Sequence, residues 1–188
     1  MQTNCWRRTG LLILLWLLTL AGPPAHAASL QSGIHGMVWG GRAADYPQLE
    51  KIREEGGASY YVNRQMAYRT GSDPVSGVVY GFYHDRLFAA YIKTRTANQA
   101  YYLERHFRDI YGPAKVKASG SETIYRWEHG DLRIKLKDNN TNEEIKLGIY
   151  YQPLARELDQ TLVEEGPPDV FGPSSAGDKG APSAPLFK

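Results

Sequence analysis

Between residues 123 and 151 apolar and polar side chains alternate almost without a break. Tyr125 and Trp127, then Leu132, Ile134 and Leu136, then Ile145, Leu147, Ile149 and Tyr151 share one parity. Arg126, Arg133, Lys135, Lys137, Lys146 and Tyr150 take the other. A period of two marks strands whose successive side chains point to opposite faces. His129-Gly130-Asp131 and the run Asp138 to Asn142 supply turn chemistry between the segments. The pattern therefore predicts a three-strand antiparallel meander with one buried and one wet face. Upstream, Val78 to Tyr83 and Leu87 to Lys93 are β-rich runs joined by His84-Asp85-Arg86, which predicts a hairpin.

Helical spacing takes over next. Ala100, Leu103, Phe107 and Ile110 recur at three- and four-residue intervals, Thr96 with Gln99 forms a capping box, and Gly112-Pro113 is a stop. A last helix is predicted from Pro153, with Leu154, Leu158 and Leu162 on one stripe, ending at Gly166-Pro167. Nearer the start, Ile34 to Trp39 predicts a strand closed by Gly40-Gly41. Asp45 as N-cap, Pro47, Gln48, Leu49 and Ile52 predict a short helix stopped by Gly56-Gly57. Ala58 to Asn63 is strand-like, and Tyr68 falls in a short strand or an extended loop. These elements predict one α+β domain over residues 28–165, a mostly antiparallel sheet including the C-terminal three-strand meander, with helices packed on one face. Residues 166–188 are rich in Pro, Gly, Ser and Ala and predict a disordered tail.

The first 27 residues change the picture of charge and chemistry. Arg7 and Arg8 precede the apolar run Leu11 to Ala21, and Pro23, Pro24 and Ala25-His26-Ala27 supply a breaker and a small-x-small site. This is the pattern of a secretory signal peptide cleaved after Ala27. The apolar run is about half the ~20 residues a spanning helix needs, so no membrane span is expected after cleavage. Cleavage removes Cys5, the only cysteine, and with it any thiol nucleophile, disulfide or thiolate metal ligand. The full chain has 22 Lys+Arg and 20 Asp+Glu; without Arg7 and Arg8 the two signs balance. A protein-wide basic field for nucleic acid is thereby excluded. The expected location is the periplasm, with release outside the cell as the alternative.

Four short aromatic motifs resemble those of a known group. They are Gly33-Ile34-His35-Gly36-Met37-Val38-Trp39-Gly40, the Val79-Tyr80-Gly81-Phe82-Tyr83-x-x-Arg86-Leu87 hairpin, Tyr111-Gly112-Pro113, and Tyr125-x-Trp127. Over roughly Gly33 to Tyr151 the chain resembles small exported bacterial proteins of proteobacterial type and uncharacterised function. The resemblance implies an envelope location and an α+β fold, and it brings no catalytic residues.

Motifs for chemistry are sparse. His35, His84, His106 and His129 lack the close spacing of a metal site. No Gly-x-Ser-x-Gly elbow, phosphate loop or dinucleotide loop occurs, so no cofactor is expected. The excess is aromatic: 13 tyrosines, with doublets at Tyr60-Tyr61, Tyr101-Tyr102 and Tyr150-Tyr151. Exposed tyrosines suit contacts with sugars or proteins. Arg126, Arg133, Lys135, Lys146 and Tyr150, on the polar parity of the meander, are the candidate binding residues. Lys135 is expected near Lys146 across a strand pair, Lys137 is expected to pair with Glu144, and Glu128 with Glu144 offsets the positive charge. Like charges side by side cost stability, which points to an anionic partner, an envelope protein or an anionic polymer. The expected function is a non-enzymatic binding or assembly module. One alternative is a small hydrolase or carbohydrate-active enzyme using His84 or His129 with a carboxylate. Another is an inhibitor-like module acting through the loop His84 to Arg86.

Overall fold

The computed structural model describes residues 30–94, 96–139, 141, 144–158, 169–171 and 180–187. The expected signal peptide and the Leu162 to Pro167 end of the last helix lie outside these residues. Within them the chain begins with a hairpin, β1 (Gly33–Ile34) and β2 (Met37–Val38). The sequence predicts one strand here. His35 and Gly36 instead both take left-handed φ angles, 52° and 82°, and reverse the chain.

A 3-10 turn (Ala43–Asp45) follows, in which the Asp45 carboxylate accepts from Arg42 N at 3.3 Å. The helix expected after it is replaced by β3 (Glu50–Glu55), paired antiparallel with β4 (Ala58–Val62). Gly56 and Gly57, φ 58° and 81°, form the tight turn between them. Asp45, expected as the N-cap of that helix, is instead the last residue of the 3-10 turn; the stripe behind it holds only Leu49 and Ile52, and hairpin closure outweighs the helix propensity of Glu and Lys. Next come β5 (Ala67–Thr70), β6 (Asp73–Pro74), β7 (Gly77–Tyr83) and β8 (Arg86–Thr94). His84 and Asp85, φ 48° and 62°, form a two-residue turn, so Arg86 belongs to β8.

Helix α1 (Ala97–Tyr111) has the anticipated capping box: the Thr96 hydroxyl accepts from Gln99 N and the Gln99 carbonyl from Thr96 N. Its buried stripe is Gln99, Ala100, Leu103 and Phe107; Ile110, expected inside, is 55% exposed. Strand β9 (Lys115–Ser119), exposed throughout and without a sequence signal, leads to β10 (Glu122–His129), β11 (Leu132–Asn139) and β12 (Glu144–Tyr151). Helix α2 (Gln152–Leu158) and β13 (Ser183–Pro185) complete the described elements.

The fold is α+β but dominated by strands. Eight of them form one antiparallel sheet in the order β3-β4-β7-β8-β12-β11-β10-β9. One core holds Tyr80, Ile92, Trp127, Ile134 and Leu147 together with Leu103 and Phe107 of α1. The other holds Tyr60, Val79, Tyr91 and Tyr150 together with Leu154 and Ala155 of α2. Alternate residues of β7 and β8 enter different cores, so the two helices cover opposite faces of the sheet. This corrects the expectation that they share one face. The sheet is long enough to have two apolar regions, and each takes its own helix.

A second correction concerns the expected tail. Ser183–Pro185 is a strand running parallel to β5 in a three-stranded sheet β13-β5-β6. Leu186 beyond it is 3% exposed, and Phe187 packs on the α1 core. Composition concealed this because two apolar residues suffice when a prepared groove receives them.

Candidate functional site

Strand order decides which charged residues become neighbours. Cα register runs straight across five strands, so directly paired residues share a face. One row reads Lys93, Lys146, Lys137, Ile124 and Lys117. The next reads Tyr91, Gly148, Lys135, Arg126 and Lys115. A third reads Ala89, Tyr150, Arg133 and Glu128. The five candidate residues Arg126, Arg133, Lys135, Lys146 and Tyr150 thus lie on one face. Lys137, of the same parity, joins them as expected, and the fold adds Lys93, Lys115 and Lys117, eight cations among the described residues.

The detailed pairing differs from expectation. Lys146 stands opposite Lys137 and Lys93, while Lys135 stands opposite Gly148. Lys137 pairs with Glu122 at 2.7 Å, not with Glu144. Glu144 is shared by Lys93 and Lys146, and Asp169 approaches Lys146 at 3.6 Å. Glu128 is shared by Arg133 at 3.0 Å and Lys115 at 3.3 Å. Partial burial pushes the Glu144 carboxyl up, but the Lys93 and Lys146 bonds outweigh it and hold it below the usual carboxylate range. Glu128 is held down in the same way by Lys115 and Arg133 against its own burial. Among the described residues, Glu122, Glu128, Glu144 and Asp169 pair with Lys93, Lys115, Arg133, Lys137 and Lys146. Lys117 is exposed and has no acidic partner among the described residues.

The face is not uniformly wet. Lys135 and Tyr150 are each 1% exposed, which corrects the reading of this parity as solvated. The reason lies in Gly148: a Cβ there would fall 2.6 Å from the Tyr150 hydroxyl, so the tyrosine ring lies back over the glycine. Tyr150 meets Tyr91 edge to face at 5.7 Å, and Tyr91 meets Tyr60 at 6.1 Å. Burial raises the pKa of both Tyr91 and Tyr150, so both stay neutral phenols. Neither hydroxyl has a hydrogen-bond partner among the described residues. The face therefore grades from buried neutral donors near α2 to exposed cations on β9.

The four histidines do not converge. His84 meets its neighbour Tyr83 at a tilt, 4.1 Å between ring centres, in the β7-β8 turn, and His129 lies at 5.2 Å from the Tyr111 ring. His106 stacks on Phe187 at 5.1 Å. Among the described residues no histidine ring hydrogen-bonds a carboxylate and no group of three ligands could hold a metal ion.

His35 forms a constellation that sequence reasoning missed. Its ring stacks on Tyr68 at 4.0 Å. Nε2 donates to Leu186 O at 3.0 Å, which leaves Nδ1 as the acceptor facing the Tyr80 hydroxyl at 2.7 Å. The Tyr80 and Tyr68 hydroxyls are 3.1 Å apart and continue the chain. Burial lowers the His35 pKa from 6.5 to about 4, against a smaller opposing effect of the Leu186 bond. The Ile34-His35-Gly36-Met37 spacing, two apolar residues around a residue preceding glycine, was the available signal for a tight turn.

Among the described residues no helix is long and apolar enough to cross a membrane. A scan against family models, a search of curated proteins and a search of solved structures each found no match to this chain.

Proposed function

We propose that the protein is a non-enzymatic binding module of the bacterial cell envelope whose cationic sheet face receives an acidic partner protein. The observation that supports this is the register that aligns Lys93, Lys146 and Lys137 directly opposite one another across β8, β12 and β11. Like charges in direct opposition destabilise a sheet. Among the described residues Glu122, Glu144 and Asp169 answer this row, and the exposed Lys115 and Lys117 extend the face to its edge. An acidic polypeptide is favoured over a polymer because β9 is a sheet edge, exposed over its whole length, beside those two lysines. An extended segment can add to such an edge through main-chain hydrogen bonds while its carboxylates meet the lysines.

Lys115 and Lys117 project from exposed positions, so Lys115→Glu with Lys117→Glu leaves both cores intact. Capture of an acidic envelope protein by the wild-type chain should be lost in this double variant and should weaken steeply with salt, because exposed charges are screened. Undiminished capture by the folded variant would remove the sheet-face reading. The hydrolase alternative requires a histidine hydrogen-bonded to a carboxylate; His84 adjoins Asp85, but the Asp85 carboxylate is taken by Arg42 at 3.2 Å. The inhibitor-like alternative shares the hairpin His84-Asp85 but lacks a comparable charge signal.

A further inference from the structure

On the face opposite the lysines, the last described segment of the chain lies in a groove whose walls are held without its help. One wall is β5, backed by β6. Gln99 of α1, itself 1% exposed, donates to Pro74 O at 2.9 Å and fixes that short hairpin to the helix. The opposite wall is α1, which presents His106 and Phe107. The end wall is the β1-β2 turn, where His35 accepts the left-handed φ of 52° that non-glycine residues avoid. Backbone strain of this kind gathers at ligand clamps. Here it delivers the imidazole to Leu186 O, with the ring held between Tyr68 and Tyr80.

The occupant is bound by few and regular contacts. Ala67 N donates to Pro182 O at 3.0 Å and Leu186 N to Arg69 O at 2.8 Å. Leu186 is buried, and the Phe187 ring stacks on His106 and meets Phe107 edge to face at 5.2 Å. Alternating main-chain bonds to an edge strand, with side-chain pockets for selected residues, are how domains recognise extended peptides by strand addition. Here the same arrangement joins a chain to itself through a parallel pairing that no tight turn specifies.

We propose that the groove between β5, α1 and the His35 turn is a peptide-binding site for an extended, uncharged polypeptide of the pattern small-Pro-Leu-aromatic, and that residues 182–187 of the chain are its resident competitor. A partner segment carrying this pattern displaces them and takes the same bonds. This site is separate from the cationic face, and its test does not depend on that reading.

The test uses the full chain with Leu186→Asp and Phe187→Ala, which empties both side-chain pockets while leaving every wall residue in place. A fluorescent synthetic peptide of the sequence of residues 181–188 is titrated into the folded variant and followed by anisotropy. Saturable binding is expected, at least about tenfold tighter than to the wild-type chain, whose own segment occupies the groove at high effective concentration. A peptide with Asp at the Leu186 position should bind at least about tenfold more weakly, the loss expected for one buried leucine. Equal binding to wild type and variant, or none to the folded variant, overturns the proposal. So does a dimer that exchanges the segment between two copies, since the occupant would then be the chain itself. If the variant does not fold, hydrogen exchange of the wild-type chain replaces it. Excess peptide should accelerate exchange of the Leu186 amide while the Leu87 amide, bonded to Gly41 O, keeps its protection. No change at Leu186 refutes displacement.

Discussion

Acidification provides a direct test of the His35 constellation. The His35 pKa falls from 6.5 to about 4 because burial disfavours the imidazolium. The unfolded chain therefore binds this proton more readily than the native one between those values. The sign follows: the stability that comes from keeping His35 neutral is complete above pH 6.5 and is lost as pH falls toward 4. About 2.5 units at 1.36 kcal/mol each amount to about 3 kcal/mol. Urea unfolding at pH 7.5, 6.5, 5.5 and 4.5, followed by tryptophan fluorescence, measures it. His35→Asn is the reference, since asparagine tolerates left-handed φ and does not titrate. Glu128 and Glu144, whose pKa values are lowered, also lose stabilisation with acid. Their loss lies below about pH 4.5 and is common to both proteins. His106, whose pKa burial also lowers, loses stability over the same range in both proteins; the wild-type chain should therefore fall more steeply between pH 6.5 and 4.5 than the variant. Parallel curves over that range would refute the assignment.

Three further outcomes rest on single side chains. Gly148→Ala forces a Cβ into the Tyr150 ring and should cost about 1–3 kcal/mol in chemical denaturation, with the loss reduced when Tyr150→Ala is added. Tyr80→Phe removes the hydroxyl facing His35 Nδ1 and should cost about 1–3 kcal/mol, whereas Tyr150→Phe removes a hydroxyl without a partner among the described residues and should stay within about 0.5 kcal/mol of wild type. Thr96→Ala opens the capping box of α1 and should cost about 1 kcal/mol, seen as a lower denaturation midpoint with an unchanged slope.

Local signals in the sequence were legible where short-range chemistry decides the outcome. The capping box of Thr96 and Gln99, the two β-rich runs flanking His84-Asp85, and the parity of Trp127, Ile134 and Leu147 are all fixed by neighbours within a few residues. The segment 46–54 reads as a helix because its cap and its Glu and Lys content favour one, and only pairing with β4 reveals a strand. Residues 183–187 carry too little apolar content to announce a fold, and their groove is built by residues far away in the chain. The cationic face was half visible. Arg126, Arg133, Lys135 and Lys146 follow from alternation, but Lys93 joins them only because β8 adjoins β12, and Lys115 and Lys117 only because β9 is a strand. His35 could be seen as a turn residue, but its ring partners Tyr68 and Tyr80 come from other strands.

Strand order also sets a kinetic problem. Every neighbour pair in the large sheet joins strands close along the chain except β4 with β7 and β8 with β12. The β3-β4 and β7-β8 pairs and the strands from β9 to β12 form by hairpins, which close quickly, and β4 joins β7 across the short β5-β6 excursion. Joining them at β8 and β12 requires α1 and three strands to be looped out, the largest closure entropy in the sheet. Until that seam forms, the Ile92 and Leu147 edges of two half-sheets stay open. A destabilising change at the seam should therefore slow folding more than an equal change in either outer hairpin.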